Sequence, residues 1–217
     1  MRKKKIFLIR HGQTDYNKRG VVQGSGIDAP LNETGINQAE AFYQAYKDLP
    51  FQKVYTSVLQ RSIQSVDSFI QTGLPHSKLS GLNEINWGEK EGKVANEGDH
   101  KYYTNIIKSW REGKLDRAIP GGESPVMVLE RQKPALQHIL NDEEELVLVC
   151  MHGRAMRILL CLMLNKSLSQ MDQYEHANLC LYVLEYNYDN RLFKLIVNNE
   201  QSHLGKLATE NNYPKKP

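Results

Sequence analysis

The stretch that most limits what this chain can fold into is Ile6 to Ile9, four apolar residues set between a lysine run and Arg10-His11-Gly12. A short run without polar alternation suits a strand buried on both faces, as strands of a parallel sheet are. Lys53 to Thr56 and Leu146 to Met151, the latter reading LVLVCM, have the same character, and each of the three is followed by a helical pattern. Strands alternating with helices predict an α/β fold: a mostly parallel sheet with helices on both faces. A chain of 217 residues with 40% apolar content can bury one substantial core, so a single domain over 1–217 is expected.

Helix signals fill the intervals. Thr34 can cap a helix carrying Ile36, Ala39, Tyr43 and Tyr46. A second helix is expected from Ser57 to about Thr72, and a third from Gly153 through Leu164. Ser124-Pro125 is a cap and first-turn pair for a helix with Val126, Leu129, Leu136 and Leu140 on one face, in which Pro134 predicts a kink. LCLYVLEY and RLFKLIV flank NYDN, which predicts a hairpin or antiparallel edge. Between residues 93 and 120 the pattern turns polar and helical, and a small helical cap insertion is expected there. The tail from about Lys206 is expected to be loosely held.

The balance of charge is only mildly basic, +3, and its lysines and arginines are scattered without an aromatic-interleaved stripe. No nucleic-acid surface is expected from such a pattern. Cys150, Cys161 and Cys180 lie in or beside apolar runs with no Cys-x-x-Cys spacing, which predicts free buried thiols in a reducing compartment. The apolar stretch behind the basic start is too short for export, and the longest later run, Ile158 to Leu164, is too short to span a bilayer. A cytoplasmic protein without a membrane partner is the expectation. The pattern sets no oligomeric state.

In open α/β sheets, ligands bind outside the carboxyl ends of the strands. The first apolar run ends in Arg10-His11-Gly12, the second in Thr56-Ser57 with Arg61 one helical turn on, and the third in His152-Gly153. Two arginines, two histidines and a helix N-terminus around one point would repel one another unless they held an anion, and phosphate is the natural guest. Arg10 and Arg61 can each offer a planar fork of donors, while Gly12 and Gly153 let backbone approach closely. Two histidines exceed what binding needs. A neutral imidazole, held in the correct tautomer by a backbone carbonyl, can attack phosphorus and carry the phosphoryl group. The leaving oxygen then needs a proton, and LNEINWGEKEG offers Glu84 and Glu91, either of which could act as general acid if its pKa were raised. Each of these residues alone has an ordinary structural explanation; their joint placement at successive strand tips is what points to chemistry. A metal held by His11, His152, His203 and a glutamate is disfavoured, because two arginines in the same pocket oppose a cation.

At this point the chain resembles a family. LIRHGQT, TSVLQRSIQS, LNEINWGEKEG, GGES and MHGRAMR occur in the order found in the histidine phosphatase superfamily, the phosphoglycerate mutase-like proteins. The likeness extends through VQGSGIDAPLNETGINQA to NNEQSHL and covers residues 5 to 204. It implies that His11 is the phosphorylated nucleophile and that Arg10, Arg61 and His152 hold the phosphoryl oxygens. It further implies a phosphate contact from Asn17, a proton donor in Glu84, a substrate contact from Gln23, and a first loop completed by Thr14. No metal or organic cofactor is implied.

Within that resemblance the branch is read from two places. Mutases of the family usually carry a tyrosine three positions after the acidic residue, where this chain has Trp87, and a paired-arginine segment in the insertion, which is absent here. Residues 93–120 hold six Lys or Arg against four Asp or Glu, only weakly cationic for a cap that must retain a bisphosphorylated intermediate. The resemblance therefore implies a phosphomonoesterase acting on a small phosphorylated metabolite through a phosphohistidine. A cofactor-dependent phosphoglycerate mutase is the alternative. A non-catalytic domain that binds a phosphoryl ligand is the third reading, opposed by the presence of the nucleophile and every clamp residue. Of the cap aromatics His100, Tyr102, Tyr103 and Trp110, at least two are expected to pack the cap onto the core.

Overall fold

The computed structural model describes residues 2–93 and 97–208, without the side chains of residues 97, 99 and 100. Strands β1 (Lys3–Arg10), β2 (Lys53–Thr56), β3 (His76–Lys78), β4 (Leu146–Met151), β5 (Leu181–Asn187) and β6 (Leu192–Glu200) form one sheet in the order β3-β2-β4-β1-β5-β6. The β1, β2, β3 and β4 strands are mutually parallel, and β5 and β6 add an antiparallel hairpin at one edge. The chain is thus an α/β protein with a mostly parallel sheet.

Alternate residues of the buried strands feed two cores. Ile6, Leu8, Val147 and Val149 face one layer with Leu136, Ile139, Leu159 and Trp110, whereas Phe7, Ile9, Leu148 and Cys150 face another with Phe42, Phe69 and Leu204. The first layer is covered by α5 (Glu97–Arg111), α6 (Pro125–Asn141) and α7 (Gly153–Met163), the second by α2 (Glu33–Tyr46) and α4 (Asp67–Gln71). Two shorter helices, α1 (Asp15–Lys18) and α3 (Gln60–Gln64), follow the tips of β1 and β2. All three cysteines are buried free thiols. Among the described residues no helix is long and apolar enough to cross a membrane.

Several local expectations shift. The cap of α2 is Asn32 rather than Thr34, its side chain accepting from the Gly35 N–H at 2.9 Å. The helix expected from Ser57 to Thr72 is instead α3 and α4, separated at Val66, whose backbone leaves the helical region at φ −127°. Ser57 lies before α3, where its hydroxyl accepts from the Leu59 N–H at 3.1 Å. Ser124 does cap α6, and the helix continues through Pro134 to Asn141. Residues 202–207 form 3-10 turns tied down by the Gln38 amide donating to the Leu207 carbonyl at 2.9 Å, so the chain is held through Leu207; residues 209–217 lie outside the described residues.

Residues 97–111 form the helix α5, and its aromatics pack inward. Trp110 is 1% exposed and stacks on Trp87 with ring centroids 5.8 Å apart, and Tyr103 meets the same Trp87 ring at 5.3 Å. The half-buried Tyr102 lies beneath the Lys90 ammonium, and the side chain of His100 is outside the described residues.

Candidate active site

Because β4 lies between β1 and β2, the carboxyl tips of all three open onto one edge. The His11 N–H continues the ladder by donating to the Met151 carbonyl at 2.9 Å, which sets His11 beside His152 with ring centroids 5.0 Å apart. Arg10, His11, Arg61 and His152 are all buried. The structure therefore brings together the four residues that the sequence places at separate strand tips.

The two imidazoles are held in opposite tautomers. Nδ1 of His11 lies 2.7 Å from the Gly12 carbonyl, which can only accept, so Nδ1 carries the proton and Nε2 keeps its lone pair. Arg61 donates Nε–H to Nδ1 of His152 at 3.2 Å, so that ring is protonated on Nε2, which donates to the Ser57 hydroxyl at 2.7 Å. Ser57 in turn meets the Ser62 hydroxyl at 2.8 Å, and Ser62 donates to the Leu59 carbonyl. Burial pushes His11 well below the usual histidine range, with Arg61 and Arg10 adding to the effect and the Gly12 bond opposing it. His152 is lowered in the same way, by burial and then by Arg61, His11 and Arg10. Both rings are neutral at physiological pH.

The arginines are anchored as well as charged. Besides its bond to His152, Arg61 donates Nη1–H to the Ile27 carbonyl at 2.7 Å and Nη2–H to the Gly24 carbonyl at 3.1 Å, fastening the 24–27 loop to the site. Burial draws its guanidinium down to about 10, with Glu84 opposing, so it remains a cation at neutral pH. Arg10 donates Nη1–H to the His176 carbonyl at 2.6 Å.

Thr14 caps α1 in a reciprocal box: its hydroxyl accepts from the Asn17 N–H and its own N–H donates to Asn17 Oδ1, both at 3.2 Å. The Thr14 hydroxyl donates to Gln23 Oε1 at 2.8 Å, which leaves Nε2 of Gln23 buried and without an acceptor among the described residues. A buried amide donor of this kind requires an acceptor, and a ligand oxygen would supply one. Gly12 and Gly153 do permit close approach, but to protein: a Cβ on Gly12 would meet the Gly35 carbonyl at 2.7 Å, and one on Gly153 the His176 ring at 3.1 Å.

The two candidate acids separate. Glu84 reaches the N-terminus of α7, where Oε1 accepts from the Ala155 and Ile85 N–H groups at 2.8 and 2.9 Å and Oε2 accepts from Arg154 N–H at 3.1 Å. It thus satisfies first-turn donors of a helix whose own cap residue, His152, supplies no side-chain bond. Oε2, with a single donor, keeps a lone pair for a proton. Glu91 instead lies beneath the 24–26 loop, accepting from Trp87 N–H at 2.8 Å, and a Cβ at Gly24 would fall 2.0 Å from its Oε1. Burial raises the Glu91 pKa against opposing bonds from Trp87 and Gly26. Among the described residues, no cluster of three or more His, Cys, Asp or Glu is arranged to hold a metal ion, and His203 is bonded to Glu200 and the Leu179 carbonyl.

Three contributors lie outside the residues singled out by the sequence: Ser57 as the partner of His152, and His176 and Asn178 from the segment before β5. Ser57 carries a signal only in its position at a strand tip. The other two carry none, because their partners are more than 160 residues away in the chain.

An α/β sheet whose parallel strand tips gather two arginines and two neutral histidines defines a protein built to hold and transfer an anionic group. The chain matches the histidine phosphatase superfamily (branch 1) over residues 6–199, and it belongs to that superfamily. It is 32% identical over 171 residues to a 2,3-bisphosphoglycerate-dependent phosphoglycerate mutase of Bradyrhizobium diazoefficiens, covering 74% of this chain and 81% of that one. Identity to the fructose-2,6-bisphosphatase TIGAR B of Danio rerio is 33% over 134 residues, which is 62% of this chain but only 52% of that protein. Among solved structures, a mycobacterial glucosyl-3-phosphoglycerate phosphatase complexed with VO3 superposes with a TM-score of 0.78 at 25% identity, covering 91% of this chain and all (100%) of that one. Mycobacterial hydrolase 1 shares the fold, with a TM-score of 0.81 at 24% identity over 92% of this chain and 100% of its own.

Proposed function

We propose that this protein is a phosphomonoesterase that hydrolyses a small phosphorylated metabolite through a phosphohistidine at His11. The observation that carries this reading is the bond from His11 Nδ1 to the Gly12 carbonyl, which leaves a neutral Nε2 lone pair among Arg10, Arg61 and His152. In the first step Nε2 attacks phosphorus, the P–O ester bond breaks, and Glu84 delivers its proton to the leaving oxygen. In the second step the Glu84 carboxylate takes a proton from water, the water oxygen bonds to phosphorus, and the N–P bond breaks to return neutral His11 and inorganic phosphate. Arg10, Arg61 and His152 stabilise the charge on the transferring group, and Asn17, Thr14, Gln23 and the Gly12 and Gly153 backbone line the ligand.

Hydrolysis is favoured over mutase chemistry by Trp87. At 4% exposure and stacked on Trp110, it belongs to the packing between the core and α5 and is not a polar substrate contact. We take 93–120 as a helical cap inserted in one domain spanning 1–217. The partner is a small phosphomonoester rather than a nucleic acid, supported by the scattered surface charge, and the buried free thiols support a cytoplasmic location. The test is a panel of phosphomonoesters, with 3-phosphoglycerate assayed with and without its bisphosphate primer. Phosphate release that needs no primer, together with a labelled phosphoenzyme that His11→Ala cannot form, is the expected result. Primer-dependent isomerisation would assign a mutase, and binding without labelling a non-catalytic domain.

A further inference from the structure

We infer that Asn178 is a positioning residue that fixes the side-chain amide of Asn17 with its donor edge toward the phosphoryl site. This rests on the reading of that site given above. The orientation follows from donors and acceptors that allow no alternative. The Thr14 backbone N–H points at one atom of the Asn17 amide at 3.2 Å, and only an oxygen can receive it, so that atom is Oδ1. The Asn178 amide faces the His11 backbone carbonyl at 3.0 Å, and only a nitrogen can donate there, so that atom is Nδ2. The second hydrogen of the same nitrogen goes to Asn17 Oδ1 at 3.3 Å. With Oδ1 held by two donors, Asn17 presents Nδ2 away from both of them.

The segment around Asn178 is built for placement. The Leu179 N–H donates to the Arg10 carbonyl at 3.1 Å and the His176 carbonyl accepts from Arg10 Nη1, so the main chain and side chain of Arg10 are held from the same four residues. Leu179 is fully buried at φ 54°, a left-handed conformation that a non-glycine residue keeps only where its surroundings hold it. Asn178 itself is 5% exposed, on the strained turn that leads into β5. Without its donor, one of the two bonds that orient Asn17 is gone, only the Thr14 N–H still holds Oδ1, and the donor edge is fixed less firmly.

A double-mutant cycle on orthovanadate and inorganic phosphate binding, read by calorimetry, tests this. Asn178→Ala should weaken both anions about ten-fold, the scale of one hydrogen bond to a charged group, with the melting transition still cooperative. In an Asn17→Ala background the same substitution should change affinity less than about two-fold, because a positioning residue acts only through its target. Asn178→Ser, too short to reach both acceptors, supplies the same comparison with a smaller cavity. Asn17→Asp keeps both acceptor bonds and replaces the donor edge by an anionic oxygen, so it should fold as wild type and bind vanadate least. Wild-type affinity in Asn178→Ala or Asn178→Ser, or an equal loss in both backgrounds, overturns the inference alone. Failure of the wild type to bind either anion overturns the phosphoryl-site reading and this inference with it.

Discussion

Arg61 donates its Nε–H to Nδ1 of His152 across 3.2 Å, and its other two nitrogens hold the carbonyls of Gly24 and Ile27. One guanidinium therefore sets a histidine tautomer, anchors a loop and supplies a charge. Removing it should be felt in all three. Arg61→Ala should lower kcat by about 10²–10³, as loss of a preorganised donor does. It should also destabilise the fold by about 1–3 kcal/mol through the buried acceptors left unpaired. Arg61→Lys restores the charge but not the three directions, so it should recover anion binding more than kcat. Urea midpoints and steady-state turnover check this, and wild-type turnover in Arg61→Ala would remove Arg61 from the transition state.

What the chain spells out locally and what it conceals divide along physical lines. Ile6 to Ile9 and LVLVCM announce buried strands because burial on both faces demands uninterrupted apolar side chains. β3 is three polar residues, His76–Lys78, defined by pairing with β2 alone, so no side-chain pattern marks it. The break between α3 and α4 falls at Val66, where neither glycine nor proline flags it. Strand tips place Arg10, His11, Arg61 and His152 because parallel strands carry their ends to one edge. Asn178 stays hidden, since its meaning lies in two acceptors far away in the chain, the His11 carbonyl and Asn17 Oδ1.

The buried histidines predict how stability varies with pH. His11, His152 and His176 are all held well below the usual histidine range, by burial first and neighbouring arginines second. In the unfolded chain each binds a proton below about pH 6.5, while the native state does not. The unfolded state then carries more protons, so stability is full above that value and falls as pH drops below it. Each histidine contributes at most about 1.4 kcal/mol per pH unit, so the three give a limiting slope of about 4 kcal/mol per unit. For Asp172, burial is outweighed by Arg154 and Arg157, which hold its carboxyl below the usual range, and that contribution is lost only below about pH 4. Urea midpoints at pH 7.5, 6.5, 5.5, 4.5 and 3 separate the windows. A flat profile between 7 and 5 would show that the rings are not buried neutral.

Glu84 is held by three backbone hydrogen bonds that a substitution there cannot all keep. Oε1 accepts from Ala155 and Ile85 N–H groups and Oε2 from Arg154 N–H, so Glu84→Gln can keep its oxygen at the first pair but must turn a donor toward Arg154. One buried N–H loses its acceptor, at a cost of about 1–3 kcal/mol, and stability has to be measured beside activity. The chemical effect depends on the leaving group. A p-nitrophenolate departs without a proton, whereas the alkoxide of a sugar or glycerol needs one as the bond to phosphorus breaks. Alkyl monoesters should therefore slow by about 10²–10⁴ in the phosphorylation step, while the aryl ester still loads His11. Release of phosphate from His11 also needs a base for water, so the aryl ester should give a burst followed by slow turnover, resolved by rapid quench. Equal losses for both esters in the phosphorylation step would exclude Glu84 as the acid. The role would then pass to Glu91, whose carboxyl lies under Gly24 and Gly26 with its pKa raised by burial, and Glu91→Gln would be expected to show the leaving-group dependence in its place.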